Sequence, residues 1–204
     1  MISAMPDTAV YVERYRWTPT VALGIAADLA FVLLAVFFIA PLFIRLPVLA
    51  VFGWFAVISI ATVLSRRVAL RVDEAGVTFG GGPFRYEATT RSHRWEDIEA
   101  ITLWKRYLPV TIGRWTPFSF GPIEYIGLRR RPGAPSITAG GRGRADWPGY
   151  MTPVKGVAAG AARNIVAFVL DKDRLAQAVA AFAPTVAIED GGTVGKPRQP
   201  VART

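Results

Sequence analysis

The stretch VALGIAADLAFVLLAVFFIAPLFIRLPVLAVFGWFAVISIATVL, residues Val21 to Leu64, decides how this chain is organised. It is apolar almost throughout, and Asp28 and Arg45 are its only charged residues. Pro41 and Pro47 bracket a short Ile44-Arg45-Leu46 turn, leaving two runs, about 21–43 and 48–64. At roughly 1.5 Å per residue these reach about 34 and 26 Å as helices, against a hydrocarbon core of about 30 Å. A helix satisfies its own backbone N–H and C=O groups, so it is the form such a run takes in lipid. The prediction is a transmembrane helical hairpin over residues 20–65. The first run exceeds the apolar part of a cleaved leader, no clean A-x-A site follows it, and a second run comes at once, so it is expected to be retained.

The chain has 204 residues, which leaves roughly 140 after the hairpin, enough for one compact domain. There is no cysteine, which excludes disulfides and thiolate metal sites. The net charge of +9 has two readings. Basic residues flank membrane spans on their cytoplasmic side, or a basic surface meets anionic lipid or nucleic acid.

Residues 1–19 read as a cytoplasmic lead, with Met1 to Thr8 disordered. Within it Tyr11, Tyr15, Trp17, Arg14 and Arg16 form an aromatic and basic belt before the first span. Pro19 suits the first helical turn, where its missing N–H has no partner to lose. Arg14 and Arg16 precede span one and Arg66, Arg67 and Arg71 follow span two, while the connecting turn holds only Arg45. The positive-inside rule then places both termini in the cytoplasm.

Asp28 is the exception within the spans. A carboxylate there is costly and often functional. Its expected role is a hydrogen bond to Ser59 or Thr62 that pins the hairpin register, and a proton or cation relay is the competing reading. Ala22, Ala26 and Ala30 share one face of the first helix. Gly53 and Ala56, with Ser59, offer a matching small surface on the second, for packing within the hairpin or for a homodimer.

From Arg66 the periodicity changes to alternation. Val68, Leu70 and Val72 predict a strand, Asp73-Glu74-Ala75-Gly76 a turn, and Val77-Thr78-Phe79 a return strand. RWEDIEAITLWK (94–105) reads as a strand with a bulge or single turn at Glu96-Asp97, EYIGLR (124–129) as a strand, and NIVAFVL (164–170) as a central strand. Asp171 then caps a helix whose Leu175, Val179 and Phe182 form one apolar stripe, stopped by Pro184. Residues 189–204 read as a disordered tail.

The strand-turn-strand at 68–79, the segment R-W-E-D-I-E-A-I at 94–101 and the closing D-x-D-R-L-x-x-A-V helix resemble the bacterial pleckstrin-homology-like domains that follow two transmembrane helices. The resemblance implies an α+β membrane protein: a two-helix hairpin, then an antiparallel β-sandwich or barrel over 66–188 with a C-terminal capping helix. It implies a bacterial inner-membrane location and no catalysis. A Gly-, Pro- and Arg-rich insertion at about 106–163 departs from that pattern.

No chemistry-bearing motif stands out. His93 is the only histidine and reads as a surface residue beside a strand. Glu96, Asp97 and Glu99 read as a solvated face paired with Arg91 or Arg94. The glycine runs at 80–82 and 140–143 lack the G-x-x-x-x-G-K-[ST] spacing of a phosphate loop. Arg129, Arg130, Arg131, Arg142 and Arg144, with Trp147, are the candidate headgroup contacts, at about 1 kcal/mol per cation near an anionic surface; an ordinary solvated loop is the alternative. The expected function is non-catalytic binding or scaffolding at the membrane surface, through anionic headgroups or a protein partner. An accessory subunit that uses the hairpin as its interface is the alternative, and a membrane enzyme using Asp28 or Glu96 and Asp97 is the least favoured. No cofactor and no nucleic acid is expected.

Overall fold

The computed structural model describes residues 10–38, 41–110, 118–134, 154 and 156–194. The described residues are mixed α+β, with two apolar helices near the N-terminus and two four-stranded sheets. It divides into two compact units, residues 1–92 with 166–175, and residues 93–165 with 176–204.

In the first unit, β1 (Tyr11–Arg14) leads into α1 (Pro19–Phe38) and α2 (Leu42–Ser65) leads into β2 (Val68–Asp73). Both helices are long and apolar enough to cross a membrane. Pro19 opens α1 as expected. Two boundaries differ from the sequence reading. α1 ends at Phe38, and α2 begins at Leu42 with Pro47 inside it, so no Pro41–Pro47 turn divides the hairpin. The physical reason is local: Pro41 is extended, and its carbonyl accepts from the Ile44 and Arg45 N–H groups at 3.1 and 3.0 Å. That turn nucleates the helix early enough for Pro47 to forfeit one interior hydrogen bond without breaking it.

α2 stops at Arg66, whose φ of 47° lies in the left-handed region and whose N–H donates to the Val63 carbonyl. A side chain other than glycine is strained there, and the turn it makes redirects the chain into the sheet. β2 pairs antiparallel with β1 (Tyr11↔Val72) and with β3 (Gly76–Phe79) across the expected turn, in which Gly76 takes a φ of 136°. The residues read as a lead therefore include a sheet strand. α3 (Tyr86–Thr89) and β4 (Arg91–His93) follow, the sheet order being β1-β2-β3-β4. Tyr11, Leu70, Val72, Val77 and Phe79 are buried, while Arg71 between two of them is exposed. Ala69 is buried too, so β2 does not alternate as simply as its sequence suggests.

In the second unit, the Glu96-Asp97 irregularity is a single 3-10 turn (Trp95–Asp97) that starts β5 (Ile98–Val110). β5 pairs antiparallel with β6 (Phe118–Arg130), which pairs with β7 (Val157–Asn164). Parts of the stretch read as an insertion, 106–110, 118–130 and 157–163, are thus sheet. β7 ends where the predicted 164–170 strand begins, and residues 165–168 are bends. Trp104 on β5 stacks on its cross-strand partner Tyr125 with centroids 5.4 Å apart. Gly127 makes room for that indole, since a Cβ there would meet the Trp104 ring at 2.8 Å.

α4 (Lys172–Phe182) is capped as predicted, the Asp171 Oδ1 accepting from the Arg174 N–H at 3.0 Å. Its buried stripe is Leu175, Ala178 and Val179. Residues read as the start of a tail instead form β8 (Ala187–Val194), parallel to β5 with Ile101 opposite Ile188. A strand of mostly polar and glycine residues carries little periodicity, and it is held here by ladder hydrogen bonds that the β5 edge offers. His93 is 6 % exposed, so it is buried and not on the surface.

Candidate functional site

The open end of the apolar hairpin is where most of the described exposed cations of the first unit collect. β1 and β2 are continuous with the two helices and paired with each other, so the hairpin exits are tied together by backbone. The ties continue upward: the Tyr15 N–H donates to the Arg67 carbonyl at 2.9 Å and the Arg16 N–H to the Ala167 carbonyl at 2.8 Å. Thr18 is a double fastening. Its hydroxyl accepts from the Val21 N–H as the N-cap of α1 and donates to the Val166 carbonyl. Below it, Val21, Ile25 and Val63 make a small core with Ile60, Val166 and Ala167.

On this base stand Arg14, Arg16, Arg66, Arg67 and Arg85, all exposed, and the half-buried Arg91. Arg14 donates to the Arg66 carbonyl at 3.3 Å, and the Arg67 guanidinium lies 4.8 Å from the Tyr86 ring centroid. Arg91 donates to the Ala88 and Thr90 carbonyls at 3.0 and 2.9 Å. Only Glu13 and Glu87 oppose this charge within the same segments. Trp17 is exposed beside it. Arg71 stands apart, paired with Asp73 at 2.6 Å.

The loop after β3 completes the site. The Gly80 N–H donates to the Ala69 carbonyl at 2.9 Å, and a Cβ at Gly80 would lie 1.9 Å from the Val68 oxygen. At Gly81 a Cβ would lie 2.1 Å from the Tyr86 oxygen. The glycines are there because the loop folds tightly onto β2 and itself. Tyr15 donates to the Gly80 and Gly81 carbonyls at 3.2 Å, Tyr86 to the Val68 carbonyl at 2.8 Å. The Thr90 and Thr89 hydroxyls accept from the Gly81 and Gly82 N–H groups at 3.1 and 2.8 Å. These hydrogen bonds fix where Arg85 and its neighbours stand.

The residues singled out from sequence fare differently. Arg129 is engaged within its sheet: it donates to both Glu189 carboxylate oxygens at 2.6 and 2.7 Å and meets Glu99 at 3.2 Å. Those hydrogen bonds, Glu189 foremost, push the guanidinium further toward its charged form. Arg131 uses its Nε on the Ile98 carbonyl at 3.0 Å. Arg130 is half-buried. Arg142, Arg144 and Trp147 lie outside the described residues. Glu96 pairs with Arg94 at 3.1 Å, as anticipated for a solvated acidic face.

Within the hairpin, the expected Asp28 hydrogen bond to Ser59 or Thr62 is not made. The Thr62 hydroxyl donates to the Ile58 carbonyl one turn back at 2.7 Å, which satisfies it without a partner helix. Ala22, Ala26 and Ala30 are exposed, and the buried positions of α1 are Val21, Ile25 and Ala35. Ala56 is buried on α2 and Gly53 half-buried, while the Ala22, Ala26 and Ala30 face of α1 is left uncovered within the chain. Among the described residues no group of three or more His, Asp or Glu side chains could hold a metal ion.

Arg14, Arg16, Arg66 and Arg67 were legible in the sequence as flanking charges. Arg85, Thr18 and the glycine-supported loop were not, because their roles depend on partners up to 148 residues away. No protein-family model matches the chain, and neither does any curated protein or solved structure.

Proposed function

We propose that this is a non-catalytic integral membrane protein whose hairpin spans a bacterial inner membrane with both termini cytoplasmic. Its pleckstrin-like sheets would then work at the membrane surface, with the arginines at the hairpin base gripping anionic headgroups. The apolar side chains of the helices support the spanning role. Leu33, Phe37, Phe38, Phe43, Trp54 and Phe55 are all exposed, a patch that a water-facing protein rarely tolerates.

The observation that carries the headgroup reading is the collar itself. Arg14, Arg16, Arg66, Arg67, Arg85 and Arg91 sit at the helix exits on a hydrogen-bonded base, where each cation near an anionic surface contributes about 1 kcal/mol. Pre-organised donors lose less on binding than free loops do. The Arg129 group, though prominent in sequence, has its charge met by Glu189 and Glu99.

The test uses the full chain in nanodiscs of neutral lipid with a minor anionic fraction. Anionic lipid should be enriched around the wild type, less so at raised salt, and lost on combined Arg66→Gln, Arg67→Gln and Arg85→Gln. Arg129→Gln should leave it unchanged. Equal effects of the two variants would overturn the collar as the site. A stoichiometric protein that leaves with the collar variants would favour the accessory-subunit reading instead.

A further inference from the structure

Beyond the headgroup collar, and resting on the reading that the hairpin spans the membrane, we infer that the loop from Gly80 to Thr90 is a membrane-inserting wedge. Its apolar tip, Phe84, enters the acyl chains of the cytoplasmic leaflet.

The observation is a contact that the rest of the loop is arranged to make. Phe84 stacks on Trp54 of α2 with centroids 5.8 Å apart and an interplanar angle of 19°. Trp54 precedes Ser65, the last residue of α2, by eleven positions. At about 1.5 Å per residue the contact therefore lies roughly 16 Å along the helix from its end. That is the level of the apolar run, not of the flanking arginines. Both rings remain largely open, Phe84 at 58 % and Trp54 at 57 % exposure.

A large aromatic held outward in water gains little from burial and loses the freedom that a floppy loop would have kept. Here the loop is not floppy. Gly80 and Gly81 allow backbone approaches that any side chain would block, Tyr15 donates into it, its own Tyr86 donates out to the Val68 carbonyl on β2, and Thr89 and Thr90 lace its N–H groups. Pro83 precedes the phenylalanine and restricts the backbone at the tip. The same loop places Arg85 directly after Phe84, and Arg67 lies against Tyr86. An apolar tip followed by a long cationic side chain that can reach back to phosphate is the chemistry of an interfacial wedge. The occupant that matches is anionic phospholipid: acyl chain against the rings, phosphate against the guanidinium groups.

The absence of cysteine makes the test direct. Single substitutions Phe84→Cys, Leu33→Cys and Ala75→Cys in the full chain would each carry an environment-sensitive fluorophore. The proteins would be reconstituted in vesicles of neutral lipid with a minor anionic fraction. Doxyl-labelled lipid and aqueous iodide are the two quenchers. Leu33 reports α1 and Ala75 the exposed turn between β2 and β3. The expected result is a Phe84→Cys probe quenched by doxyl lipid as strongly as the Leu33→Cys probe, and several-fold less by iodide than the Ala75→Cys probe. A Phe84→Cys probe that follows Ala75→Cys, while Leu33→Cys stays in lipid, would overturn the wedge and leave the span intact. A Leu33→Cys probe open to iodide would overturn the span and the wedge with it. Phe84 is exposed, so its replacement leaves the hydrogen bonds of the loop in place.

Discussion

The phenol oxygen of Tyr11 on β1 accepts a hydrogen bond from the Asp171 backbone N–H at 3.0 Å, linking the strand before the hairpin to the residue that caps α4. Tyr11 is 1 % exposed, and the Arg174 guanidinium lies 5.7 Å from its ring centroid. Tyr11→Phe should keep the packing and lose the hydrogen bond, at about 1 kcal/mol. Denaturant unfolding of the full chain in micelles measures this.

Burial pushes the Tyr11 phenol up to about 12, against a weaker opposing pull from the Asp171 N–H and with the Glu13 and Asp171 charges adding to the rise. The folded state therefore holds the phenol proton more tightly than the unfolded chain, whose value is near 10. This contribution is fully present below pH 10 and is lost as pH climbs from about 10 toward 12. Tyr11→Phe should remove that part of the alkaline decline, and a decline of unchanged size would contradict it.

Thr18 should matter more than a lead-segment threonine would. Thr18→Val removes both the cap of α1 and the tie to the Val166 carbonyl, while Thr18→Ser keeps both. Cap loss alone costs about 1 kcal/mol. The expected order of stability is wild type, then serine, then valine, read from the same unfolding curves.

The glycine run offers a contrast within three residues. Gly80→Ala forces a Cβ against the Val68 oxygen and should destabilise by about 1–3 kcal/mol or more. Gly82→Ala meets only the Thr89 hydroxyl at 3.9 Å and should stay within about 0.5 kcal/mol. Similar effects at both positions would mean that the loop is not held as described.

In the second unit, Glu189→Gln should weaken the hold of β8 at the sheet edge, because its carboxylate receives both Arg129 donors. The loss should shrink as salt rises. Hydrogen exchange over 187–194 reads it locally.

Asp28→Asn should insert and fold normally. Its carboxylate makes no hydrogen bond among the described residues, and on the proposed spanning reading the amide avoids the cost of a carboxylate in lipid, about 2.5–3.5 kcal/mol at a helix centre. Impaired insertion of the variant would show that the charge is used.

The hairpin, the β2–β3 turn, the start of β5 and the Asp171-capped helix were legible in sequence, because each rests on a local rule. Unbroken apolar runs need no partner to become helices, a turn follows from Asp73 to Gly76, and a cap from its own next turn. β1, β8 and the true ends of β7 were not legible, since short or polar strands exist only where a neighbouring edge supplies their hydrogen bonds. The sites divide in the same way. Sequence could place Arg14, Arg16, Arg66 and Arg67 beside the helices, because flanking charge is a matter of chain order. Only the tertiary structure could spend Arg129 on Glu189, turn Ala22, Ala26 and Ala30 outward, and bring Phe84 to Trp54. Those outcomes depend on which of several chemically suitable partners geometry allows within a few ångströms, and that choice is made by the packed fold.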